Sequence, residues 1–135
     1  MMEFIEEPNS NAERPRSTNV GLLICRDLFF ISKVTGTAEA LGRQVSTARD
    51  RPSALLRLET DHPLVVFLDL HAGDATDLDA IRTYRSLAPD AFFIGFGSHV
   101  EPALLAQAAD AGCDSVLPRS AFSSRLAEIV QERLK

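Results

Sequence analysis

At 135 residues the chain is long enough for one domain with a real core and too short for two ordinary ones. Apolar residues make up 45% and charged residues 24%, and no stretch approaches the roughly 20 consecutive apolar residues of a membrane span. The net charge of −5 speaks against nucleic-acid binding, which needs a surplus of Lys and Arg against phosphates.

The N-terminus, Met-Met-Glu-Phe-Ile-Glu-Glu-Pro, has neither the basic region nor the apolar run of a signal peptide, so a cytoplasmic protein is expected. Residues 1–18 read as a flexible tail, because their Pro, Asn, Ser and Arg offer little apolar surface to pack. Phe4 and Ile5 are the exception. Residues 19–135 read as one domain. Val20 to Cys25 is a first buried strand, and Leu28 to Leu41 follows with helical spacing of Ile31, Val34, Ala38 and Leu41, stopped by Gly42. Gly36, inside this helix, implies close packing against a neighbour. Gln44 to Ala48 is a weaker second strand, and Asp50 caps a short helix from Pro52 to Glu59.

Leu64-Val65-Val66-Phe67-Leu68 is wholly apolar and reads as a central strand that ends on Asp69. A carboxylate there is costly unless something pairs with it. A polar loop with Gly73 leads to a third helix through Leu78, Ile81 and Leu87. Ala91 to Phe96 is a fourth strand, and Pro102 opens a fourth helix that Gly112 stops. Ser115-Val116-Leu117 is a fifth strand, and Ser120 caps a last helix carrying Leu126, Ile129, Val130 and Leu134. Strands alternating with helices imply a doubly wound parallel α/β sheet covered on both faces.

In such sheets chemistry gathers at the carboxyl ends of the strands. These ends carry Arg26-Asp27, Asp69, Gly97-Ser98-His99 and Pro118-Arg119. Asp27 and Asp69 are the candidate oxygen ligands for Mg²⁺, and Arg119 is a candidate partner for a carboxylate or a phosphoryl group. His71 lies close by, but imidazole is a poor Mg²⁺ ligand. Ser98-His99 is no triad, and His99 and His62 read as loop histidines. Phe29-Phe30 reads as helix start and core, with Phe29 a contact residue if it faces outward. Cys25 and Cys113 have no metal-site spacing and read as reduced, buried thiols.

From Val20 to about Gln131 the chain resembles the receiver domain of bacterial response regulators. The order of elements carries the resemblance, with Leu68-Asp69-Leu70 and Ala111-Gly112-Cys113-Asp114-Ser115. It implies a flavodoxin-like five-stranded sheet in the order 2-1-3-4-5. It also implies phosphoryl acceptance at Asp69, with Mg²⁺ held by acids after the first strand. A hydroxyl follows the fourth strand, and a Lys follows the fifth.

Here Arg26-Asp27 stands for the acidic pair, Gly97 for the hydroxyl residue with Ser98 one place later, and Arg119 for the Lys. Val116 stands where receivers carry a switching aromatic residue. An arginine fork is no substitute for a compact ammonium. The departures touch the metal site, the phosphoryl sensor and the readout together. The expected function is a degenerate, stand-alone receiver-like module that needs no cofactor. It acts by contact with a protein such as a histidine kinase, or as a homodimer through the fourth helix, fifth strand and fifth helix. A phospho-accepting receiver using Asp69, Ser98 and Arg119 with Mg²⁺ is the alternative. A flavodoxin-like ligand binder or enzyme ranks last, because Arg26-Asp27-Leu28-Phe29 is no phosphate-binding loop.

Overall fold

A computed structural model describes residues 20–98 and 101–134. The proposed tail at residues 1–18, with Phe4 and Ile5, and the loop residue His99 lie outside the described residues. The elements run β1 (Val20–Ile24), α1 (Leu28–Ala40), β2 (Gln44–Ala48), α2 (Arg51–Asp61), β3 (Val65–Asp69), α3 (Leu78–Leu87), β4 (Phe92–Gly97), α4 (Pro102–Ala111), β5 (Ser115–Pro118), α5 (Arg119–Ser124) and α6 (Leu126–Arg133). The five strands are all parallel, in the order β2-β1-β3-β4-β5. This is the doubly wound sheet that the alternating pattern predicts, in the flavodoxin-like strand order that the receiver resemblance implies.

The pleat divides the core into two layers. Leu22 and Ile24 of β1 and Val66 and Leu68 of β3 face α2, α3 and α4, packing with Ala54, Leu58, Ile81, Tyr84 and Ala108. Leu23, Val65, Phe67, Ile94 and Phe96 face the other way, onto Phe30 and Val34 of α1, Phe122 of α5, and Leu126, Ile129 and Val130 of α6. Cys25 and Asp69 continue this second alternation, so both side chains turn toward α1 and α5.

Four expectations need correction. Leu64 lies outside β3 and is 40% exposed, because the strand begins at Val65 and extends to include Asp69, which pairs with Phe96. The last helix is two helices that meet at Arg125 (φ −104°, ψ 9°). Its start is Arg119, directly after the strand, so Ser120 lies within the first turn and is no cap. Pro118 at φ −58° carries the chain from strand to helix without an intervening capping residue. Gly36 does not pack closely; a Cβ there would meet nothing within 4 Å.

The Ala111-to-Ser115 segment serves the fold. Gly112 has φ +139°, and a Cβ there would press on the Arg85 side chain at 2.9 Å. The Asp114 carboxylate accepts from the Phe93 amide (2.9 Å) and from Arg85 Nη1 (3.0 Å), while its own amide donates to the Phe93 carbonyl. This tie fixes the α4–β5 turn to the start of β4.

Candidate functional site

Asp69 is 3% exposed at the carboxyl end of β3. Oδ1 accepts from the His71 amide (3.0 Å) and from Arg119 Nη2 (3.3 Å), and Oδ2 accepts from the Cys25 thiol (3.3 Å). Its backbone carbonyl accepts from the Thr76 hydroxyl at 2.6 Å. Tyr84 in turn donates to the Ala75 carbonyl at 2.7 Å, so the β3–α3 loop is pinned at both ends. The buried carboxylate thus meets a cation, a thiol and an amide, which offsets the cost of its burial.

Arg119 stands at the first residue of α5. Its guanidinium lies over the Phe30 ring, 5.1 Å from the centroid, and reaches back to Asp69. The contact is one nitrogen to one oxygen, not a bidentate fork. With Arg119 41% exposed, solvent screens the pair, so the attraction itself is worth about 1 kcal/mol or less. The larger effect is positional: the cation stands over the mouth of the Asp69 site.

Cys25 follows β1 and lies beside Asp69, as the Ile24–Leu68 register requires. Burial above all, opposed by a hydrogen bond to the Asp27 carbonyl and reinforced by the Asp69 carboxylate, pushes this thiol up to about 12. It stays protonated and acts as a donor, not as a thiolate ligand. Sequence reasoning missed Cys25. The signal lay in the strand alternation, which puts Cys25, and not Arg26, on the Asp69 face; Asp27 shares that parity but lies where the chain turns into α1.

Arg26 turns away from Asp69. Its Nε donates to the Arg49 carbonyl (2.9 Å) and its Nη2 to Asp74 (3.0 Å), beside Gly73. Gly73 has φ +62°, and a Cβ there would lie 2.5 Å from Arg26 Nη1. Asp27 is the N-cap of α1: its Oδ1 accepts from the amides of Phe29 (2.9 Å) and Phe30 (3.3 Å). Asp27→Ala is expected to cost about 1 kcal/mol of stability through the lost cap, read as a shift in the urea midpoint.

On the β4 side, Gly97 ends its strand opposite Pro118. The His71 ring fills the space a side chain at 97 would use, with Nε2 only 3.2 Å from a Cβ there. That Nε2 accepts from the Ser98 amide (3.0 Å) and stands 3.6 Å from Glu101. The histidine ring therefore organises the β4–α4 loop and takes no part in a carboxylate network around Asp69.

These residues do not fit a hard divalent cation. Mg²⁺ takes oxygen ligands. Here the immediate neighbours of Asp69 are a protonated thiol, a guanidinium and the His71 amide, and Asp27 commits its Oδ1 to the cap of α1. Among the described residues no group of three or more His, Cys, Asp or Glu is placed to hold a metal ion.

No family model and no curated protein sequence matches the chain. Solved structures do. A response-regulator signal receiver domain from Bermanella marisrubri is 22% identical over 87% of this chain and 99% of its own, with a TM-score of 0.75. A response regulator from Thermotoga maritima is 21% identical over 87% and 98%, at a TM-score of 0.73. A response regulator from Burkholderia pseudomallei, solved with a phosphorylated aspartic acid, a calcium ion and citrate, is 24% identical over 87% of this chain and 66% of its own, at a TM-score of 0.72. With the strand order and the Asp69 strand end, these likenesses give the chain the receiver fold of response regulators.

Proposed function

We propose that this chain is a receiver-like signalling module of the cytoplasm that works through protein–protein contact and does not carry out Mg²⁺-dependent phosphoryl transfer. The observation that supports this reading is the set of partners of Asp69. Both oxygens are engaged, the thiol of Cys25 stands where a metal-binding carboxylate would be needed, and Arg119 covers the mouth. A phosphoryl donor would meet a nucleophile already paired with a cation and without a metal to neutralise the incoming charge. The partner is a signalling protein such as a histidine kinase, or a second copy of this chain meeting it through α4, β5 and the α5–α6 pair.

The full chain incubated with acetyl phosphate and Mg²⁺ is expected to show no adduct by intact mass. A stable adduct on the wild-type chain that disappears in Asp69→Ala would overturn the reading. The second reading, phosphoryl acceptance at Asp69 with Ser98 and Arg119 assisting, is favoured by one fact. The Burkholderia pseudomallei protein of the same fold carries a phosphorylated aspartic acid.

A further inference from the structure

Beside Asp69 a cavity of about 790 Å³ opens between the start of α1, the end of β4 and the start of α5. Its size falls within the range of small-molecule sites. Phe29 and Phe30 supply its apolar part, and the other seven lining residues are polar, among them Lys33, Arg119, Ser120 and Ser123. We propose that this cavity binds a small organic anion with a flat aromatic body.

Phe29 is the first reason. It is 79% exposed although it sits next to Phe30, which is 4% exposed. The cap at Asp27 fixes both amides, and one turn of helix can send only one of two adjacent rings into the core. With Leu28 64% exposed beside it, the ring leaves an apolar patch at the rim of a polar opening. Covering such a ring removes apolar surface from water, and a flat aromatic ligand does so with little loss of rotamer freedom.

Charge is the second reason. Lys33 makes no ion pair with any described residue, in a chain of net charge −5. Arg119 gives one nitrogen to Asp69 and keeps 41% of its side chain exposed. The hydroxyls of Ser120 and Ser123 stand on the same wall, with no hydrogen-bond partner among the described residues. Asp27 is the acidic lining residue, and its Oδ1 already accepts two backbone amides. An anionic head finds a lysine, a guanidinium and two hydroxyls, while a cationic head finds repulsion. The guanidinium over Phe30 is also a surface on which an aromatic ring stacks. Ligand binding there needs no signalling role for the domain.

The test uses anilinonaphthalene sulfonate, an aromatic anion, titrated into the full chain and followed by its fluorescence. Saturable binding is expected, displaced by naphthoate and not by the uncharged naphthamide. Both residues stand at exposed positions of α1; Phe29→Ala is expected to weaken binding about tenfold and Lys33→Ala about threefold. Leu56→Ala, an exposed leucine on α2, is expected to leave it unchanged. Binding that does not saturate, or that survives Phe29→Ala, would overturn the site. Equal displacement by naphthamide, or no effect of Lys33→Ala, would overturn the assignment of the ligand as an anion.

Discussion

Cys25→Asp is expected to destabilise the domain by about 3 kcal/mol in metal-free buffer, since a second carboxylate would be placed against one already buried. The Cys25 thiol now donates to Asp69 Oδ2 at 3.3 Å in a site closed to water. Aspartate there removes a donor and adds a like charge. Arg119 would answer part of that charge, but its single contact and partial exposure limit the relief. The same variant creates what the wild-type site lacks, two facing carboxylates able to bind a hard cation. Mg²⁺ at about a hundred times its dissociation constant is expected to return about 2.7 kcal/mol. Thermal unfolding with EDTA and with Mg²⁺ gives the readout: a melting temperature lowered by on the order of 10 °C that recovers with metal, against a wild-type value that does not respond. A variant that melts like the wild type and ignores Mg²⁺ would show that position 25 does not face Asp69.

The sheet was legible because its chemistry is local. The run from Val65 to Leu68 has no polar interruption, and the expected cap Asp50 stands immediately before a helix whose Ser53 amide it accepts. Ends and faces were less legible. Leu64 extends the apolar run by one residue and its backbone bonds to Val20 and Phe92, yet its side chain is 40% exposed, because composition does not mark which side chains the helices cover. The break at Arg125 carries no Gly or Pro; it arises where two short helices cover one sheet face with Phe122 on one side and Leu126, Ile129 and Val130 on the other. Gly36 implied a close neighbour and has none, since a helix glycine on an exposed face looks the same in sequence as one at a contact.

At the site, sequence reasoning grouped Asp69 with Asp27, Ser98 and Arg119, and the structure brings them together only in part. It joins Asp69 directly to Arg119, places Asp27 on α1 as a cap, and sends Arg26 to Asp74. Cys25 and Asp27 share the parity that faces Asp69, but only Cys25 lies directly beside the end of β3, while Asp27 lies where the chain turns into α1 and caps it. The proposal that Mg²⁺ does not bind therefore rests on a thiol that the sequence presents as buried core. Thr76 was likewise invisible, since a buried hydroxyl that holds the Asp69 carbonyl depends on how the loop folds back.

Phe122→Ala is expected to cost about 3–5 kcal/mol, a large share of what a domain of this size has. Phe122 is fully buried and is the centre of the aromatic cluster. It stacks on Phe96 with centroids 4.2 Å apart and planes 2° from parallel, and meets Phe67 and Phe30 edge-on at 5.8 and 6.0 Å. α5 is only six residues long and has no side-chain cap, so too few of its own hydrogen bonds hold it and its packing must. Phe122 is the one buried residue of that helix, one turn after Arg119. The same ring that closes the core therefore holds the cation over Asp69, and Phe30, which contacts both, couples the cluster to the guanidinium. Urea unfolding measures the loss, and Phe122→Leu, which refills part of the volume, is expected to restore more than half of it. A midpoint that barely moves in Phe122→Ala would mean that α5 is anchored by something other than this ring, and that the Arg119–Asp69 pair does not depend on it.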